Sequence, residues 1–203
     1  MKKILLLCGI AATAVSLAPS AQAGQGVGGC ALDGEAAFSK GLGTTAQDFD
    51  YSFHGTLSNC QGSYSVKGGT VSAGEKITIG GVDYRPLSQP TGNGSCVSSE
   101  TSGKAFVAWD NGTYSVIDYD TTGYAAAVGL TGSFDGGSVT LQSVAVNPET
   151  GQPASTKTIA LASGGDYAGG PLAFEPPDPT ACSTATGVTV AGIQGFIGHG
   201  NYS

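Results

Sequence analysis

No stretch of this chain keeps a helical stripe of apolar residues for more than about two turns, because Gly, Ser and Thr interrupt every candidate window. Glycine alone accounts for 34 of 203 residues. What survives is alternation with a period of two, the pattern of a strand with one buried face. Cys30, Leu32, Ala36 and Phe38 alternate with Asp33, Glu35 and Ser39. Gly41-Leu42-Gly43-Thr44-Thr45 then supplies a loop, and Phe49, Tyr51, Phe53 and Leu57 resume the alternation. A second hairpin runs from Lys104 to Trp109, turns at Asp110-Asn111-Gly112 and returns from Thr113 to Tyr119. Its Asn-Gly pair is the one that supplies the positive φ values of a type I′ turn. Further strands are expected at 65–72, 76–79, 125–130, 139–146, 156–161 and 188–197. Residues 84–95 and 147–153 read as long surface loops, and 171–179 as an extended crossing segment. Roughly eight to ten short strands in one continuous pattern predict an all-β, antiparallel two-sheet sandwich, with a partly closed β-barrel as the alternative.

The N-terminus sets the compartment. Lys2 and Lys3 precede a mostly apolar run from Ile4 to Leu17, and Ala21-Gln22-Ala23 is an A-x-A cleavage site. A signal peptide over 1–23 and a single mature domain over 24–203 are therefore expected. The apolar run is too short for a membrane anchor and Pro19 follows it, while Cys8 lies inside it rather than after it, which argues against lipidation. Cleavage would remove Cys8 and leave Cys30, Cys60, Cys96 and Cys182. An even number of scattered cysteines without a C-x-x-C pair points to disulfides rather than a metal. Cys30 and Cys60 flank the first hairpin symmetrically and are expected to pair, which leaves Cys96 for Cys182. The expected location is secreted or periplasmic.

Charge excludes some partners. The net charge is −7 with only 11% charged residues, so there is no basic surface to neutralise phosphates. Neither nucleic-acid binding nor membrane insertion is expected.

Chemistry-bearing residues are sparse. Asp48, Asp50, Ser52 and His54 share one strand face, but same-face neighbours are roughly 7 Å apart, too far for Ser52 and His54 to bond directly. Asp118 and Asp120 likewise share a face, and that pair or Asp48 and Asp50 would serve calcium if it bound; otherwise no cofactor is expected. His54 and His199 are the only histidines. Trp109 shares a face with Val107 and Ala105 and reads as core, whereas Tyr84, Tyr119 and Tyr124 flank loops and are the candidate ligand platforms. Asn-x-Ser/Thr sequons at Asn93, Asn111 and Asn201 matter only in a eukaryotic secretory pathway.

Two stretches, Phe38-Ser39-Lys40-Gly41-Leu42-Gly43-Thr44-Thr45-Ala46-Gln47 through Phe53-His54-Gly55-Thr56-Leu57-Ser58-Asn59-Cys60 and Gly103-Lys104-Ala105 to Trp109-Asp110-Asn111-Gly112-Thr113, resemble uncharacterised small secreted bacterial proteins, mainly actinobacterial, that are rich in Gly, Ser and Thr. The resemblance implies an exported β domain and carries no activity. The chain is also similar to chaperone-assembled pilus subunits in its Gly/Thr-rich character, early disulfide and Tyr202. It departs from them in having four mature cysteines and a final Gly-Phe-Ile-Gly-His-Gly-Asn-Tyr-Ser without sustained alternation. The function expected is thus that of a secreted, non-enzymatic domain that binds a protein or carbohydrate through its loops. A secreted hydrolase or hydrolase inhibitor, and a pilus-like structural subunit, are the alternatives.

Overall fold

A computed structural model describes residues 28–62, 66–162 and 166–200. The signal peptide assigned to 1–23, Ser65, Tyr202 and the sequon at Asn201 lie outside the described residues. Thirteen strands follow in order: β1 Gly28–Leu42, β2 Gln47–Gln61, β3 Gly69–Ala73, β4 Ile77–Ile79, β5 Val82–Tyr84, β6 Thr91–Gly94, β7 Ser98–Trp109, β8 Tyr114–Tyr124, β9 Ala127–Phe134, β10 Ser138–Gln142, β11 Thr156–Ala160, β12 Tyr167–Glu175 and β13 Val188–Gly200.

The two-sheet sandwich expected from the sequence is incorrect. The wall strands form one antiparallel sheet in which β1 pairs with β2 on one side and with β13 on the other, so the sheet closes into an eight-stranded barrel. Alternation reports that each strand has a buried face; it does not report whether those faces belong to two flat sheets or one curved one. Seven wall positions are filled by β1, β2, β7, β8, β9, β12 and β13, and the eighth is shared. β3 lies against Phe53–Leu57 of β2, and β6 continues in the same direction against Gln47–Asp50. Both also pair with β7. The wall strands follow chain order around the ring, an up-and-down meander.

Two wall strands were hidden in segments that read as connections. β6 is Thr-Gly-Asn-Gly, too short and glycine-rich to alternate, within the expected 84–95 loop. β12 contains Gly169-Gly170-Pro171, within and just before the expected crossing segment. The β12–β13 ladder keeps one register but is interrupted at Gly170 and Pro171, where the proline has no N–H to give, while both residues stay paired with β9. The second hairpin forms where expected, but its turn differs. Gly112 has φ 82°, Asn111 is not at positive φ, and the Gly112 N–H donates to the Trp109 carbonyl while the Trp109 N–H donates to Thr113. This is a longer turn in which only the glycine takes the left-handed conformation.

Inward side chains, among them Leu32, Phe49, Tyr51, Val107, Ile117, Tyr119 and Leu172, form the main core. The outer wall carries exposed Asp33, Glu35, Asp48, Asp50, His54, Glu100, Asp118 and Asp120, which hydrocarbon would not accept. Alternation also gives way on β7 and β8. Ala105, Phe106 and Val107 are all buried, as are Ser115, Val116 and Ile117, because the β4–β5 and β10–β11 hairpins cover the outside of β7 and β8. Ile77, Ile79, Tyr84, Leu141 and Ile159 from those hairpins meet outward-facing Phe106 and Val116 in a second core. The two hairpins are joined by a Tyr84–Ser143 bridge and by Val144 N–H donating to the Asp83 carbonyl.

Cys30 is bonded to Cys60 and Cys96 to Cys182, which implies an oxidising compartment. The first bond joins neighbouring strands at a bulge where Asn59 has φ 51° and the register shifts by one. The second is a different device. The β6–β7 turn and the β12–β13 connection lie four positions apart in a ring of eight, so Cys96–Cys182 ties opposite sides of one rim. The connection contains a 3₁₀ turn, Pro179–Ser183, capped by Asp178, whose carboxylate accepts from the Thr180 N–H at 2.8 Å. Gly41 packs directly against Thr186, and a Cβ there would collide with the Thr186 carbonyl.

Candidate functional site

The barrel interior is not completely filled. A cavity of about 110 Å³ lies among inward residues of every wall position. Eight strands enclose a space that side chains can nearly fill or that can hold one small ligand, so what lines the remaining space decides its use. Most of the lining is apolar: Leu32, Phe38, Phe49, Val71, Ile117, Leu130 and Ile193 are representative. None of the lining side chains is charged.

One wall of this chamber is polar. The Tyr51 and Tyr119 hydroxyls are 2.6 Å apart, Tyr51 is 3.0 Å from the Thr101 hydroxyl, and Thr101 is 2.7 Å from that of Thr121. The cluster arises from register. Tyr51 projects inward from β2, Thr101 from β7, and Tyr119 and Thr121 from the same face of β8. Gly103 leaves room for it, since a Cβ there would lie 3.0 Å from the Tyr119 hydroxyl. Burial pushes the Tyr51 phenol up, and its bonds to Thr101 and Tyr119 offset this only in part. Burial raises Tyr119 further, with the neighbouring Tyr51 adding to the shift. Both phenols are therefore neutral donors at any physiological pH.

The sign of the pH dependence follows. Each phenol ionises in the unfolded chain near its ordinary value of 10.0 but resists ionisation in the barrel. Stability from these groups is thus complete below pH 10 and falls as pH rises beyond it, by up to about 1.4 kcal/mol per pH unit for each tyrosine. In an alkaline titration followed by phenolate absorbance, two of the phenols are expected to ionise only as the barrel unfolds. Replacing both Tyr51 and Tyr119 with Phe should remove that step.

The sites expected from sequence are distributed otherwise. Tyr84 and Tyr119 are not exposed platforms: they are 5% and 7% exposed, Tyr84 in the outer core and Tyr119 in the chamber. Only Tyr124, at 73%, stands in solvent beside the β8–β9 turn. Tyr119 was legible as inward-facing, since it follows Ile117 at strand spacing with Asp118 and Asp120 on the opposite face. Tyr84 gave no such signal, because Arg85 and Pro86 follow it. Asp118 is engaged by Lys104, whose ammonium lies 2.8 Å from it and 2.9 Å from Asp135. Burial lowers the lysine, but the two carboxylates together outweigh it and the net shift is upward. Asp120 lies apart from that pair, in an open groove with Asp48, Asp50 and Glu100. Among the described residues no three His, Cys, Asp or Glu side chains are placed to hold a metal ion.

Ser52 and His54 do not meet. Each instead approaches Glu75, the Ser52 hydroxyl donating to it at 3.3 Å and His54 Nδ1 lying 3.4 Å away. A carboxylate between a serine and a histidine does not activate the serine, since it is the histidine that must take the hydroxyl proton. Trp109 is half-buried against the main core, with its indole N–H donating to Ser115 at 2.9 Å.

Comparison with known proteins gives no match: no family model, no curated protein and no solved structure is similar to the chain.

Proposed function

We propose that this chain is an exported, non-enzymatic binding protein that holds one small apolar molecule inside its barrel. The observation that carries this reading is an uncharged chamber of about 110 Å³ with a single polar wall. An apolar cavity of roughly 150 Å³ suffices for benzene, so the occupant is of about that size or smaller. Export, into the medium or the periplasm, is supported by the two disulfides and by the signal-like N-terminus. The charged outer wall suits a protein that works in water. Membership among the secreted Gly/Ser/Thr-rich bacterial proteins remains part of this proposal.

The test is saturation with benzene, followed by NMR shifts of the chamber methyl groups and by the melting temperature. Binding that saturates, shifts Val71, Leu130 and Ile193, and disappears in Ala105→Phe supports the reading. Shifts confined to surface residues, or unaffected by filling the cavity, would overturn it. Recognition of a protein or carbohydrate through the loops is the competing proposal, and Tyr124 is the exposed aromatic that favours it. A glycan array read with wild type and Tyr124→Ala separates the two.

A further inference from the structure

We propose that the chamber selects a neutral molecule carrying one hydrogen-bond acceptor, such as a small ketone or lactone, and orients it on the hydroxyl cluster of Tyr51, Thr101, Tyr119 and Thr121. This rests on reading the barrel interior as a binding site. Four hydroxyl protons serve three contacts within the cluster, so one remains to be donated outside it. A ligand acceptor meeting that proton gains a bond that an all-carbon isostere cannot form. An anion would lose its hydration without meeting a cation, because the lining has no Lys, Arg or His. The polar atoms occupy one wall only, so they fix the direction in which the ligand lies while the apolar walls accept its hydrocarbon part.

Three probes of matched size test this on the disulfide-bonded protein: cyclopentanone, methylenecyclopentane, in which carbon replaces the carbonyl oxygen, and butyrate. Dissociation constants come from NMR titration. Cyclopentanone is expected to bind on the order of tenfold more tightly than methylenecyclopentane, with butyrate weaker than both. The preference should vanish when all four hydroxyls are removed together (Tyr51→Phe, Thr101→Val, Tyr119→Phe and Thr121→Val), since any smaller set leaves a proton over. Binding of methylenecyclopentane by that variant, no weaker than by wild type, guards against a fold defect. Equal binding of the ketone and the hydrocarbon by wild type, or a preference that the four-fold variant retains, would overturn the acceptor proposal and leave the chamber as a purely apolar site. Absence of binding by both neutral probes would overturn the chamber reading and this proposal with it. Tightest binding of butyrate would overturn the claim of neutrality.

Discussion

Replacement of both Cys96 and Cys182 by Ser is expected to lower the unfolding free energy by about 4 to 5 kcal/mol. The bond has a sequence separation of 86, against 30 for Cys30–Cys60. Releasing the longer loop restores more freedom to the unfolded chain, so the Cys30/Cys60 double serine variant should lose about 3.5 kcal/mol by the same reasoning. Location sharpens the contrast. Cys30–Cys60 joins strands that backbone bonds already hold, whereas Cys96–Cys182 ties opposite sides of a rim. Removing it should therefore also speed amide exchange at 95–97 and 179–187 while β7 and β8 keep their protection. Equilibrium denaturation and hydrogen exchange measure both effects. Equal losses from the two double variants, with exchange at the rim unchanged, would show that the connection holds its place without the bond.

Phe106→Ala is expected to cost about 3 to 5 kcal/mol, although Phe106 points away from the barrel interior. It is 3% exposed and its ring lies 5.5 Å from that of Tyr114, with the two planes at 28°. The side chain packs from the barrel wall into the outer core that the wall shares with the two covering hairpins. Truncation leaves a cavity that the rigid wall cannot close, and the hairpins lose part of that packing. Denaturant titration should show the loss, and exchange at Ile77–Ile79 and Ser138–Gln142 should accelerate before that of the wall. A loss below about 1 kcal/mol would mean that the hairpins are held chiefly by the Tyr84–Ser143 junction.

Local structure was legible wherever side chains alternate over enough residues. The Cys30–Cys60 hairpin and the Lys104–Tyr119 hairpin both follow from inward rows flanked by acids. Closure was not legible, because it depends on β1 meeting β13, and nothing in either strand names its partner. The Thr91–Gly94 strand has one intermediate and one buried residue, and both are glycines, so no apolar face announces it. Phe106 and Val116 were readable as apolar but not as outward-facing anchors, since what covers them comes from hairpins distant in sequence. The chamber combines both limits. Tyr51 sits in a visible inward row and Tyr119 follows Ile117 at the same spacing, yet their 2.6 Å contact exists only once β2 and β8 stand on opposite sides of β7 and the shared strand position.

A ring that its first and last strands complete has no edge when finished and two edges until then. As the chain is made from its N-terminus, β1 pairs with β2 early but keeps its other side open until Val188–Gly200 arrives. That side presents unsatisfied backbone groups along a strand of 15 residues, a template for another copy of the same unfinished chain. Asp33 and Glu35 on its outer face add repulsion between such copies. The interval between synthesis of the two strands, rather than the stability of the finished barrel, is where this protein is most exposed to aggregation.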